Sequence, residues 1–432
     1  MPYEDPYPNN CLNAALGPYL SAEQILQAHL NRLPKIPAAI AEIPRNVRMH
    51  FLMRLNEAHF PSSHDVEFFT TVDLALRASY GRRNPGDART WAVIGKERPR
   101  LDGGHPAKLI GVVGVPGAGK SQLIFAARSI YPSQIVTHES FPNINGPFAQ
   151  LAHLSINIPA SGKLVDLART LMLSSDRAMG TERFTEVLGR TRPDASALFD
   201  EWLQFAESRF LGILHLDEVQ NLFKFETLKK RSKKSDGDRP KLRIADDTAL
   251  KRILTLSNTS DFVLVLSGSP DGMAALQTRL STAGRFVVGG WHELHVFDDP
   301  NDKRFRGTFL KPLLRYQYVR DKLVESDDLA ITIIELTAGV PRFIIALWIA
   351  AHRVAFARHA SSDLQVDDLQ IDDLKVAASL YLTPITPAIQ ALRSRDPALM
   401  RRYEDLLPDD TMFWSGFWTR ISTGEPPKPQ AT

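Results

Sequence analysis

The chain has 432 residues, of which 44% are hydrophobic and 23% charged, with a net charge of +3 and one cysteine, Cys11. That composition suits a globular chain with apolar residues enough for two or three cores, excludes a disulfide framework or thiolate cluster, and points to a reducing, cytoplasmic compartment. The opening Met-Pro-Tyr-Glu-Asp-Pro-Tyr-Pro lacks the pattern of a secretory signal. The longest apolar run, 343–351, is far shorter than the ~20 residues of a membrane span, so no membrane is expected.

Residues 1–88 read as a helical N-terminal region. Ser21-x-x-Gln24 has the form of a capping box, and Ser62-x-x-Asp65 opens a second helix through Val66, Phe69, Val72 and Leu76, which Gly81 is expected to end. The polar joint 82–88 sets the first boundary. From 89 to 299 short apolar runs alternate with helical stretches. Strands are expected over 109–113, 153–158, 211–216, 262–266 and 294–297, with helices over 164–173 and 197–208 between them. That alternation predicts an α/β domain with a central parallel sheet flanked by helices. After residue 300 only helices are expected, over 303–324, 328–336, 341–358, 366–380 and 387–407. They divide into an all-helical domain, 300–380, and a C-terminal helix and tail, 381–432.

The strongest motif is Gly114-Val115-Pro116-Gly117-Ala118-Gly119-Lys120-Ser121, followed by Gln122 and preceded by the strand 109–113. This is a P-loop in its proper context. Glycines let the backbone curl so that successive N–H groups face phosphate oxygens, and the helix that follows adds its positive end. Lys120 is then placed to span the β- and γ-phosphates of ATP, and the Ser121 hydroxyl to coordinate Mg²⁺.

The run 211–216 is an apolar strand ending in Asp217-Glu218. An aspartate there can hold the Mg²⁺ hydration shell, and the adjacent glutamate can deprotonate the attacking water. The pair argues for hydrolysis rather than binding alone. His215 is expected to be a core histidine with one hydrogen-bond partner, since no second ligand sits at metal spacing. The strand 262–266 runs into Ser267-Gly-Ser269, where Ser269, with Ser267 as the alternative, is expected to meet the γ-phosphate. Thr337-Ala-Gly-Val-Pro-Arg342 starts a helix of the second domain, and Arg342 is expected to reach over the nucleotide. Arg285, with Arg279 as the alternative, is the candidate for a cation supplied to a neighbouring subunit in a homo-oligomer.

The stretch 224–243 holds nine basic and three acidic residues, a net +6 in a chain of +3. Lys224, Lys229, Lys230, Arg231, Lys233 and Lys234 can track a phosphate backbone without reading sequence. Near the end, Phe413-Trp-Ser-Gly-Phe-Trp418 is an aromatic cluster of the kind that anchors interfaces.

Together these stretches resemble the AAA+ ATPases of DNA transposition, the TnsC and TniB group, and TnsC more closely. The specific likeness lies in Tyr80-Gly-Arg-Arg-Asn-Pro, His153-Leu-Ser-Ile-Asn-Ile-Pro-Ala-Ser-Gly, Leu314-Arg-Tyr-Gln-Tyr, Leu336-Thr-Ala-Gly-Val-Pro-Arg342, and Ile389-Gln-Ala-Leu-Arg-Ser with Tyr403-Glu-Asp-Leu. The resemblance implies an AAA+ fold with a helical lid, ATP and Mg²⁺ as ligands, and nucleotide contacts from Lys120, Ser121, Asp217, Glu218 and Ser269. It also implies assembly as a ring or helical filament on duplex DNA, with a target-selector protein and a transposase as partners bound largely through the termini. Hydrolysis then dismantles the assembly. The basic stretch is longer and more charged than in the compact TniB members. Two other classes share the ATPase motifs. A helicase loader or initiator should carry a DNA-reading module after the lid, and a signalling switch should carry repeats or an effector domain; the sequence displays neither.

Overall fold

The computed structural model describes residues 4–96, 109–190, 194–224, 243–244, 247–277, 280–359, 367–396 and 399. In chain order the strands are β1 (Leu109–Gly114), β2 (Ile135–His138), β3 (Phe148–Leu151), β4 (His153–Asn157), β5 (Ile213–Asp217), β6 (Phe223–Lys224), β7 (Arg243–Ile244), β8 (Val263–Gly268) and β9 (Trp291–Leu294). Five of them form one parallel sheet in the order β4-β5-β8-β1-β9. After β1 the chain goes to the far edge at β4, returns through β5 and β8, and then crosses to β9 on the other side of β1. The order therefore reverses at β1, and an open parallel sheet takes its ligand at the carboxyl ends beside such a reversal.

Period-two alternation divides the strands between two cores. Leu109 and Val113, Leu214 and Leu216, and Leu264 and Leu266 face the helices Leu164–Met179, Ala195–Ser208 and Asp247–Thr259. Ile110 and Val112, Ile213, and Val263 and Val265 face the helices Ser63–Arg82 and Lys120–Arg128. The sheet is covered on both sides, which is why its strands read as nearly continuous apolar runs.

The segment up to residue 88 contributes to two cores. Phe68, Val72, Leu76 and Tyr80 of the helix Ser63–Arg82 cover the sheet, whereas Leu52, Leu55 and Phe60 pack with the helices Asp327–Thr337, Pro341–Arg358 and Ile371–Tyr381. Arg48 ties the same segment to those helices: its guanidinium donates to Asp367 at 2.6 Å and to the Tyr318 carbonyl at 2.8 Å. Both capping boxes, at Ser21/Gln24 and Ser62/Asp65, are made.

Three expectations need correction. Gly81 does not end its helix, which runs through Arg82; its missing Cβ instead admits the Tyr7 ring, whose Cδ1 lies 2.7 Å from where a Cβ would stand. The expected strand 294–297 lies at Trp291–Leu294, because Trp291 packs over Gly111 of β1 and so fixes the register. The helix expected over 303–324 begins at 303 but ends early, at Leu313, after the π-helical turns Phe305–Leu310. Beyond it Gln317 organises a turn, donating to the carbonyls of Leu314 and Leu323 and accepting from the Leu323 N–H. The antiparallel hairpin of β2 and β3 was not anticipated. Among the described residues no single helix is long and apolar enough to cross a membrane.

Candidate nucleotide site

The loop after β1 adopts the curl that its glycines permit. Gly117 and Gly119 have φ of +87° and +103°, values that side chains with a Cβ rarely adopt. The helix Lys120–Arg128 starts directly behind them. Lys120 lies half-buried beneath the loop, its ammonium donating to the Gly114 carbonyl at 2.7 Å. Burial pulls its pKa below the ordinary lysine value, and the nearby Asp217 and Glu218 carboxylates oppose that shift.

Strand parity brings the polar side chains of three strands to one face. Ser155 of β4 pairs in register with His215 of β5, and His215 with Val265 of β8, so that Ser155, His215, Asp217 and Ser267 project to the same side. They form one hydrogen-bonded chain. Ser155 Oγ lies 2.7 Å from His215 Nδ1, His215 Nε2 lies 2.7 Å from Ser267 Oγ, and Ser267 donates to Asp217 Oδ1 at 2.5 Å. The other oxygen, Asp217 Oδ2, accepts from Ser121 of the P-loop at 2.7 Å.

Burial pushes His215 down to about 4, so the ring is neutral and donates through one nitrogen only. For Asp217 burial works upward, but the hydroxyls of Ser267 and Ser121 and the Glu218 N–H, all donating to it, outweigh burial and keep the carboxyl below its ordinary range. His215 thus has two partners rather than the expected one, and the second leads to Asp217.

Glu218 takes the left-handed conformation, with φ of +61°, at the point where the chain leaves β5. Gln220, two residues on, donates from Nε2 to Glu218 Oε2 and accepts from the Ser269 N–H at 3.2 Å. Ser267 is committed to His215 and Asp217, whereas the buried Ser269 Oγ has no hydrogen-bond partner among the described residues.

Arg342 begins the helix Pro341–Arg358 against the phosphate loop. Its N–H donates to the Gly117 carbonyl at 3.2 Å, and a Cβ on Gly117 would stand 3.1 Å from that of Arg342. The approach is set by Ala338 and Gly339, both at positive φ, and by the Phe297 N–H donating to the Gly339 carbonyl at 3.0 Å. Arg285 is engaged inside its own chain, donating to the Leu254 carbonyl and Ser257 Oγ, each at 3.1 Å. At the base of the basic stretch Lys224 pairs with Arg243 in the two-residue ladder of β6 and β7. Lys229, Lys230, Arg231, Lys233, Lys234, Arg279 and the cluster 413–418 lie outside the described residues.

A cavity of about 1300 Å³ opens from the loop. Its floor is Gly117–Gly119 and Gln122, and its walls come from His59, Asp65, Trp291, Arg304, Arg342 and Ile345. It has the size and placement to take a nucleoside whose phosphates rest on the loop.

The oxygen set suits Mg²⁺. Ser121 and Asp217 supply one hydroxyl and one ionised carboxylate 2.7 Å apart at the loop's edge. Few protein ligands are what a magnesium ion shared with phosphate and water needs, and among the described residues no cluster of three or more metal-binding side chains competes with them.

A family model described as the AAA domain matches residues 104–276, the part that holds β1, β5 and β8 and the loop between them. Residues 104–276 are thus similar to that domain. Its fold is the AAA+ P-loop fold: a central parallel five-stranded sheet flanked by helices, with further helices C-terminal to it. Solved structures similar to the chain include the Walker-type ATPase of Pyrococcus abyssi, at 16% identity over 79% of this chain and 85% of that one, TM-score 0.38. Drosophila ORC bound to DNA is 11% identical over 96% of this chain and 86% of that one, TM-score 0.44. C. elegans PCH-2 is 13% identical over 81% and 72%, TM-score 0.35. No curated protein matches the chain.

Three things at the site were not legible in the sequence: the orienting role of His215, the link through Gln220, and the cavity walls. A signal existed for the first. Ser155, His215 and Ser267 are polar residues interrupting apolar strands at the same parity. Nothing local marks the cavity, whose walls come from segments far apart in sequence.

Proposed function

We propose that this protein binds Mg-ATP at the loop 114–121 and hydrolyses it, and that it is a TnsC-type regulator of DNA transposition. The observation that carries the ATPase reading is the 2.7 Å contact between Ser121 and Asp217, with Glu218 directly after it at the strand's end. In this reading Lys120 meets the β- and γ-phosphates while the loop N–H groups of Gly117, Gly119 and their neighbours hold the rest. Bound Mg²⁺ supplies charge neutralisation to the phosphoryl oxygens. Glu218 takes the proton of the attacking water, which lies in line with the γ-phosphate. Ser269 offers its unpartnered hydroxyl to the γ-phosphate, and Arg342 brings the helical domain into register with the loop it touches. Arg285 acts on a neighbouring subunit only after giving up Leu254 and Ser257.

The transposition reading rests on the TnsC-like stretches and on the basic segment after the site. Residues 89–299 serve as the ATPase core and 300–380 as the lid, while the flanking parts 1–88 and 381–432 meet partners. Copies of the chain assemble on duplex DNA when ATP is bound, with Lys224, Lys229, Lys230, Arg231, Lys233 and Lys234 along the phosphate backbone. The assembly receives a target-selector protein and recruits a transposase, in the cytoplasm, and hydrolysis dismantles it.

Electron microscopy of the purified protein with duplex DNA and a non-hydrolysable ATP analogue tests this. Rings or filaments that require both ligands are expected, and a monomer indifferent to DNA contradicts the reading. Neutralising Lys229, Lys230, Lys233 and Lys234 together should flatten the slope of log affinity against log salt by up to about 3 to 4. An unchanged slope removes the basic segment from the interface.

A further inference from the structure

Gln220 has no part in the reading above, yet it occupies a position that few side chains could fill. It sits in the single 3₁₀ turn Val219–Leu222 that follows Glu218. Two glycines of the neighbouring segment make room for it. A Cβ on Gly272 would stand 2.6 Å from the Gln220 Cα, and one on Gly268 would stand 3.0 Å from its Oε1. The turn is therefore pressed against the end of β8 and the helix Pro270–Gln277. The carboxamide uses both of its ends in that space: Nε2 donates to Glu218 Oε2, while Oε1 accepts from the Ser269 N–H at 3.2 Å.

We propose that Gln220 is a positioning residue that fixes the Glu218 carboxylate to the end of β8, so that the water-activating group is aimed from the same backbone that carries Ser269. The inference rests on Glu218 being the general base. The physical reason for such a device lies in the backbone. Glu218 leaves β5 in the left-handed region, and a carboxylate must lie within hydrogen-bond reach of the water it deprotonates. An amide anchored at its other end supplies its direction. Because the anchor is the Ser269 N–H, a shift of Ser269 on meeting a phosphate is passed to Glu218 through one rigid group.

The test is Gln220→Met, which keeps the length and bulk that fit between Gly268 and Gly272 but removes both hydrogen bonds. Gln220→Ala serves as a second variant, and thermal melts verify that each is folded. Steady-state ATP hydrolysis should show kcat lowered about 10-fold or more, with KM, and the affinity for a fluorescent ATP analogue, within about twofold of the parent. A residue that only packs would leave Gln220→Met with the parental kcat, and that result overturns the proposal. The same substitution in a Glu218→Gln background should add no further loss, because two residues acting as one unit are not additive. An equal second loss there shows that Gln220 works elsewhere, and also overturns it. The two readings fail separately: a parental rate for Glu218→Gln alone removes the general base, whereas an inactive Glu218→Gln with a fully active Gln220→Met removes only the role of Gln220.

Discussion

The two halves of the proposed nucleotide site are built by different means. The phosphate half is made from short contiguous segments: the curled loop 114–121, the end of β5, and the end of β8. Its side chains are bound to one another, from Ser155 through His215, Ser267 and Asp217 to Ser121. The cavity half is gathered from distant segments around His59, Trp291, Arg304 and Ile345, and it joins the N-terminal segment, the sheet edge and the helical domain. One half is a rigid local device in which chemistry depends on sub-ångström placement. The other is a junction of domains in which affinity depends on how several bodies meet.

That contrast predicts different kinetic signatures. The largest effect belongs to the phosphate half. Glu218→Gln should lower kcat by about 10²- to 10⁴-fold while still binding nucleotide, as loss of a general base does. Single-turnover hydrolysis of radiolabelled ATP checks it, and a rate near the parent's would place the base elsewhere.

Next comes the buried chain behind Asp217. His215→Phe keeps a ring but breaks the link, and should weaken divalent-ion affinity in the nucleotide complex by about 10- to 100-fold, the usual effect of losing a group that orients a metal ligand. Electron paramagnetic resonance of bound Mn²⁺ measures this directly. Unchanged Mn²⁺ affinity would make His215 a mere core residue.

The smallest effect belongs to the cavity. His59, which lines it and pairs with the buried Asp65, should give as His59→Ala a rise in KM of about 3- to 10-fold with kcat within about twofold. A fall in kcat instead would mean that the two halves are not separable in the way their construction suggests.

The same contrast explains what could be read from sequence. The loop, Asp217-Glu218 and the alternation of strands and helices were legible because each is set by neighbouring residues: glycine's access to positive φ, a period of two, apolar runs of strand length. The helix Pro341–Arg358 was legible for the same reason, with proline at its first turn. The slipped β9 was not, since Trp291 finds its place only against Gly111 of another strand. The end of the helix near Leu313 depends on Gln317, whose amide chooses a turn over continued helix through bonds to residues on both sides. Gly81 misled because a glycine at a helix end usually marks a stop, and here it marks the approach of Tyr7. Gln220 was invisible because its meaning lies in Gly268, Ser269 and Gly272, some fifty positions away. Local physics is written in the sequence as motif; tertiary approach leaves only small residues as its trace.

The measurement that bears most directly on the site is isothermal titration calorimetry of the pure protein with ATP in the presence of Mg²⁺, run beside Lys120→Ala. The account predicts saturable one-site binding to the parent and loss of about two orders of magnitude in affinity for the variant, whose ammonium can no longer answer the triphosphate charge. Equal heats and equal affinities from both proteins, or none from either, would contradict it.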